Sequence, residues 1–289
     1  MSIFERVVCG VDGSPAGLEA LRQAKRLLAP EGSLLAATVC DPSIAVVAGW
    51  DADVMRDQLR REAADAKAEA ERELESLAGA SACLLEGSPA QRLLELLRDE
   101  QATLVAVGSH GRSRATGIIL GGVATTLLHE APCPVLLARP ADDPGAFPRS
   151  VVVGVDGSPQ SLAAAEVAHE LAERFGCSVR AVAATGGKPV DVDGLVKIRS
   201  LESTLLAATG SRRSPVETGP TVRGPALEWS ERPPVEALLE ASAEADLVVV
   251  GSRGLHGLAA LGSVSERVAH RARCSVLVVR PLEATAAPG

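Results

Sequence analysis

With 289 residues, of which 46% are hydrophobic, the chain is long enough for two domains with a core each. A net charge of −8 and an aromatic content of 2%, with no tyrosine, exclude nucleic acid as the ligand, since neither a phosphate-neutralising patch nor base-stacking side chains are available. No apolar run approaches a membrane span, Met1 to Arg6 lacks the basic-then-apolar pattern of a signal peptide, and the six cysteines form no Cys-x-x-Cys pair, so the expectation is a cytoplasmic protein with buried free thiols, no metal site and no membrane partner.

The first predicted strand is Val7-Val8-Cys9-Gly10-Val11, which ends at Asp12-Gly13-Ser14-Pro15. Ser14 offers a hydroxyl to cap the first N–H groups and Pro15 needs no N–H, so a helix opens there and runs to about Leu28, with Leu18, Leu21, Ala24, Leu27 and Leu28 on one face. Leu34 to Cys40 is the second strand. Asp51 to Leu77, rich in Ala, Glu and Arg, is a long exposed helix whose charges form a solvated face. Ala82 to Leu85 is a short third strand, and Ser88-Pro89 opens a helix that closes near Asp99. The fourth strand, Leu104 to Val107, runs into Gly108-Ser109-His110-Gly111; nine residues follow, and Gly121-Gly122 opens a helix over Val123 to Leu128. Val135 to Arg139 is the last strand. Strands alternating with helices make a doubly wound parallel α/β sheet.

The pattern then restarts. Val8 to Pro15 returns as Val152 to Pro159, an offset of 144, and Cys133 to Pro140 returns as Cys274 to Pro281, an offset of 141. The second glycine loop accounts for two of the lost residues: seven residues, Leu255 to Leu261, separate Gly254 from Gly262. The second half also has a different middle. Asp191 to Thr209 stands in place of the long helix, Ser211 to Pro225 reads as a loop, and a third strand is expected near Ala226 to Trp229. The domains are therefore drawn at 1–140 and 150–281, with a linker at 141–149 and a flexible tail at 282–289.

The two glycine loops carry the chemistry. Glycine lets main-chain N–H groups approach an anion with no Cβ in the way, and the helix start that follows adds unpaired donors and the positive end of its dipole. A phosphate is the ligand such a loop suits. Neither Gly-x-x-x-x-Gly-Lys-Ser/Thr nor Gly-x-Gly-x-x-Gly occurs here. Taken alone, one such loop reads first as a strand-to-helix turn, against which two copies in matched contexts weigh, and Asp12 reads equally as a turn-former before a helix cap.

The Val-x-Gly-Val-Asp-Gly-Ser-Pro opening, the Gly-x-x-Gly-(nine)-Gly loop after the fourth strand and the Cys-Pro-Val-Leu-Leu-like last strand together resemble the universal stress protein family, in tandem over residues 3–139 and 149–280. The resemblance implies two flavodoxin-like sheets of the adenine-nucleotide alpha-hydrolase type, each five-stranded in the order 3-2-1-4-5. It implies a stress-response regulator that binds ATP or AMP, with or without magnesium and without needing it to fold. It also implies pairing of the domains through their fifth strands, and homodimers. By the family's pattern Asp12 and Asp156 face the adenosine, and Val39 and Ala184 meet the base. Gly108, Gly111, Gly121, Gly122 and Val123 in the first half, and Gly251, Gly254, Gly262, Ser263 and Val264 in the second, hold ribose and phosphates.

Each half departs from that pattern. The first has Gly122 where Ser or Thr is expected, which removes one hydrogen bond worth about 0.5–1.5 kcal/mol. The second keeps Ser263, spaced from Glu266 as a capping box, but its loop is short, so the first crevice is expected to bind better. Arg112, Arg114 and Arg253 are optional phosphate partners. An interaction protein that has lost its ligand is the alternative. A slow ATPase or an autophosphorylating protein ranks below it, because no nucleophile, base and orienter assemble, and His129 and His270 sit before the last strands as partners of helix dipoles. The chain is therefore not expected to be an enzyme.

Overall fold

In a computed structural model, which describes residues 3–45, 52–111, 120–141, 144–184, 186, 226–252 and 262–280, the chain divides into the units Met1–Pro140 and Ala141–Pro281. The first unit contains β1 (Arg6–Gly10), α1 (Pro15–Leu27), β2 (Ser33–Cys40), α2 (Ala52–Leu74), β3 (Ala80–Glu86), α3 (Pro89–Asp99), β4 (Leu104–Gly108), α4 (Gly122–Glu130) and β5 (Val135–Ala138). Its strands lie parallel in the order β3-β2-β1-β4-β5, with Val8 opposite Leu35 on one side and Val105 on the other. β4 is apolar at every position up to its closing glycine and buried along that length, as a strand covered on both faces must be.

The second unit repeats the plan with β6 (Ser150–Gly154), α5 (Pro159–Phe175), β7 (Ser178–Ala184), β8 (Ala226–Ser230), α6 (Pro234–Ala241), β9 (Leu247–Gly251), α7 (Ser263–Arg271) and β10 (Ser275–Val279). Its parallel order is β8-β7-β6-β9-β10, the same topology. The third strand expected near Ala226 is β8. The expectations for Asp191 to Thr209 and Ser211 to Pro225 lie outside the described residues.

α2 and β3 differ in extent from the sequence reading. α2 stops at Leu74, and β3 is longer than its apolar core, reaching from Ala80 to Glu86 with no residue buried. As an outer strand it needs no continuous apolar run, so Ser81 and Glu86 were invisible as strand residues. The inner face of α1 holds Leu21, Ala24, Leu27 and Leu28 as expected, with Leu18 half-buried, but it also buries Glu19 and Gln23. Gln23 Nε2 donates to Glu19 Oε1 and to the Arg139 carbonyl, both at 2.8 Å, which satisfies the pair. All six cysteines are free, and burial pushes the Cys177 thiol up to about 11 and Cys9 well above the ordinary thiol range.

Helix starts follow the Ser-Pro signal. Ser14 and Ser158 are N-caps whose hydroxyls accept from Gly17 N at 3.0 Å and Ser161 N at 3.2 Å; Ser88 holds the same place before α3 without a side-chain capping bond. Ser14→Ala is therefore expected to lower stability by about 1 kcal/mol, and Ser88→Ala by much less, in urea unfolding monitored by circular dichroism.

Candidate functional site

In each unit the first and fourth strands lie side by side while their connections leave in opposite directions, which opens a crevice at the carboxyl ends of the sheet. Asp12, Val39, Gly108, Gly111, Gly121, Gly122 and Val123 are at that end of the first unit, and Asp156, Ala184, Gly251, Gly262, Ser263 and Val264 at that end of the second.

In the first unit Asp12 follows β1, and its Oδ1 accepts from Ser14 N at 3.0 Å and from the Ser14 hydroxyl at 2.5 Å. The turn-forming role and the crevice position therefore hold together. A Cβ on Gly111 would lie 2.8 Å from Asp12 Oδ2, so the glycine loop and Asp12 meet directly. Gly121 is the N-cap of α4 and donates through its N–H to the Ser109 carbonyl at 3.0 Å. Ser109 Oγ lies 3.0 Å from His110 Nδ1. Val123 stands in the first turn of α4, and Val39 near the end of β2, just beyond the Ala37 carbonyl that accepts from Val11 N at 2.9 Å.

Gly108 has a second reason to be glycine. Its Cβ would lie 2.7 Å from the Ala16 carbonyl carbon, and a Cβ on the equivalent Gly251 would overlap the Gln160 carbonyl, so the first turns of α1 and α5 pack directly on these strand ends. A Cβ on Gly122 meets nothing within 4 Å. Gly122→Ser is thus expected to fit without strain and to strengthen anion binding in the first crevice, within about tenfold for one hydroxyl, in a nucleotide titration.

In the second unit the crevice is a cavity of about 410 Å³. Val182 and Ala184 at the end of β7, with Pro233, Pro234 and Leu238 around the start of α6, form an apolar side. Across from them Gly251, Gly262, Ser263, Val264 and Ser265 form a side of backbone and hydroxyl groups, with Asp156, Ser158 and Ser161 between. The geometry thus joins Asp156, Ala184, Gly251, Gly262, Ser263 and Val264 around one space. Gly254, Arg253, Arg112 and Arg114 lie outside the described residues.

The capping box expected at Ser263 does not form. Gly262 is the N-cap of α7 and Ser263 its first helical residue, and there is no side-chain capping bond. A box needs its hydroxyl one position earlier; Ser263 is exposed and lines the cavity. Ser161 and Ser265 escaped the sequence reading, as did the Pro233-Pro234 wall. Their signal was available in the repeat, where they align with Gly17, Ala124 and the Ser88-Pro89 helix start. Ser265 Oγ donates to the Gly251 carbonyl at 2.6 Å, tying α7 to the strand end.

His129 and His270 lie in the last turns of α4 and α7, at the far ends of those helices from the crevices. Among the described residues no group of three or more His, Cys, Asp or Glu could hold a metal ion, and no helix is long and apolar enough to cross a membrane.

A model of the universal stress protein family matches residues 3–139 and 148–280. The chain is 30% identical over 311 residues to universal stress protein Rv1996 of Mycobacterium tuberculosis, covering 98% of this chain and 97% of that protein. It is 35% identical over 204 residues to universal stress protein Mb2028c of Mycobacterium bovis, covering 68% of each. Among solved structures, a universal stress protein from Archaeoglobus fulgidus superposes with a TM-score of 0.71 at 22% identity, covering 96% of this chain and 98% of that one, a likeness of fold.

Proposed function

The chain belongs to the universal stress protein family, and from that premise we propose that it is a stress-response regulator that binds an adenine nucleotide, ATP or AMP, in the crevices at the strand ends. The observation that carries this reading is the second-unit cavity: at about 410 Å³ it lies in the size range of small-molecule sites, roughly 300–1,000 Å³. Its apolar side suits a base. Its opposite side ends at the start of α7, where unpaired N–H groups and the Ser263 hydroxyl suit a phosphate. Magnesium would arrive with a triphosphate rather than be held in a site of its own.

Loop length ranks the first crevice ahead, and the hydroxyl-bearing cavity ranks the second. We give the cavity more weight, because it joins an apolar side, the start of α7 and Ser263 around one space. The role proposed is binding rather than catalysis. Pairing through the fifth strands remains part of the proposal on the strength of composition: Val-Leu-Leu-Ala and Ser-Val-Leu-Val-Val are apolar strands that would make unprotected edges.

A melting experiment tests the reading. Ligand at 100 times its dissociation constant stabilises by about 2.7 kcal/mol, so ATP and AMP should each raise the melting temperature by several degrees. The rise should shrink in Asp156→Ala. No rise with either nucleotide would favour a protein that keeps the fold and acts through protein contacts alone.

A further inference from the structure

Two helix starts line the second-unit cavity, and they are chemically opposite. The start of α7 brings main-chain N–H groups and the Ser263 hydroxyl. The start of α6 brings Pro233 as N-cap and Pro234 as first helical residue, neither of which has an N–H, with the carboxylate of Glu236 in the same turn. That end suits an apolar ring rather than an anion. The wall comes from a longer turn than the first unit has. Two residues, Gly87 and Ser88, separate β3 from α3, and Gly87 N donates to the Cys40 carbonyl at 2.9 Å. Three residues, Glu231 to Pro233, separate β8 from α6, although Ala184 meets Ser230 in register just as Cys40 meets Glu86. The tie between strand end and turn is remade the other way: Gly186 N donates to the Arg232 carbonyl at 3.1 Å, and Arg232 N donates to Ser230 Oγ at 3.2 Å. A Cβ on Gly186 would lie 3.8 Å from Pro234 Cδ, so the chain leaving β7 rests against the wall. Braced there, and with two φ angles fixed by their rings, the wall is set before a ligand arrives.

We propose that Pro233 and Pro234 are specificity-determining residues of the second crevice: they form a rigid, donor-free platform for the base and select a purine over a pyrimidine. The inference rests on the nucleotide-binding reading above and adds how the base is chosen. The faces of a base need no hydrogen bonds, and covering them with an apolar wall gains in proportion to the area removed from water. A two-ring purine covers both prolines, and a one-ring pyrimidine covers less. The equivalent turn of the first unit, Gly87-Ser88-Pro89, carries a single proline, so the discrimination belongs to the second crevice.

The test is calorimetric titration of the full chain with ATP and with CTP, which carry the same triphosphate and differ in the base. ATP is expected to bind about tenfold more tightly, the ratio that the area of a second ring supplies. Pro233→Ser recreates the Ser-Pro helix start found at α1, α3 and α5, so it should keep the fold while lowering the ATP-to-CTP ratio about threefold. Pro233→Ser/Pro234→Ala should bring the two affinities within about twofold of each other, with the urea midpoint reporting that the fold is kept. A merely structural role would weaken both nucleotides together and leave their ratio unchanged. Equal affinities in the parent, or an unchanged ratio in the folded double variant, would overturn the platform and leave nucleotide binding standing; should the double variant not fold, an unchanged ratio in Pro233→Ser decides the same question. No heat with either nucleotide in the parent would overturn the nucleotide reading, and the platform with it.

Discussion

Gly251→Ala should destabilise the second unit by about 3 kcal/mol, at the upper end of what overpacking costs, because the added methyl overlaps a backbone carbonyl rather than a side-chain tip. Gln160 sits in the first turn of α5, which is fixed by the Ser158 cap and by burial of Ala164, Ala165 and Ala168 against the sheet, so the helix cannot withdraw without losing both. Gly108→Ala should act in the same direction through Ala16, where the nearest backbone atom is 2.7 Å from the new Cβ. Gly122→Ala is the control. Nothing lies within 4 Å of its Cβ, and Ala is preferred over Gly within a helix by about 1 kcal/mol, so this variant should be neutral or slightly stabilising. Urea midpoints for the three variants check the ranking, and a Gly251→Ala protein as stable as the parent would show that the strand end and helix start do not pack as described.

Ala184→Trp should remove nucleotide binding from the second crevice, with a loss of affinity of at least about 100-fold, while leaving the fold intact. Ala184 is the last residue of β7, half-buried, and its side lines the cavity opposite Ser263 and Val264. An indole there takes the space of a base between Val182 and the Pro233-Pro234 wall. The neighbouring buried residues Ala181, Val182 and Ala183 are untouched, so the unfolding midpoint should move little. Retained ATP affinity in a folded Ala184→Trp protein would move the site out of this cavity.

Much of this fold was legible because its signals are local. The apolar runs of β1, β4, β6 and β9 are strands covered on both faces, and Ser14-Pro15 and Ser158-Pro159 are caps written in two residues. The return of Val8 to Pro15 as Val152 to Pro159 marks out the second unit by itself. What stayed hidden depends on contacts across space. That Gly108 and Gly251 serve helix packing as well as the crevice is set by Ala16 and Gln160, far away in sequence. Ser263 looked like a cap because Glu266 follows at capping-box spacing, but the helix begins one residue earlier, with Gly262 as its cap. Pro233-Pro234, which went unread in the sequence, opens α6 and walls the crevice.

The claim that the crevices hold an adenine nucleotide is tested most directly by calorimetric titration of ATP, and then AMP, into the full chain purified free of nucleotide. Saturable binding is expected, with AMP displacing ATP and with the larger part of the heat lost in Asp156→Ala rather than in Asp12→Ala. Loss in Asp12→Ala alone would return the site to the first crevice and reinstate loop length as the deciding feature, and no heat at millimolar ATP or AMP would contradict nucleotide binding altogether.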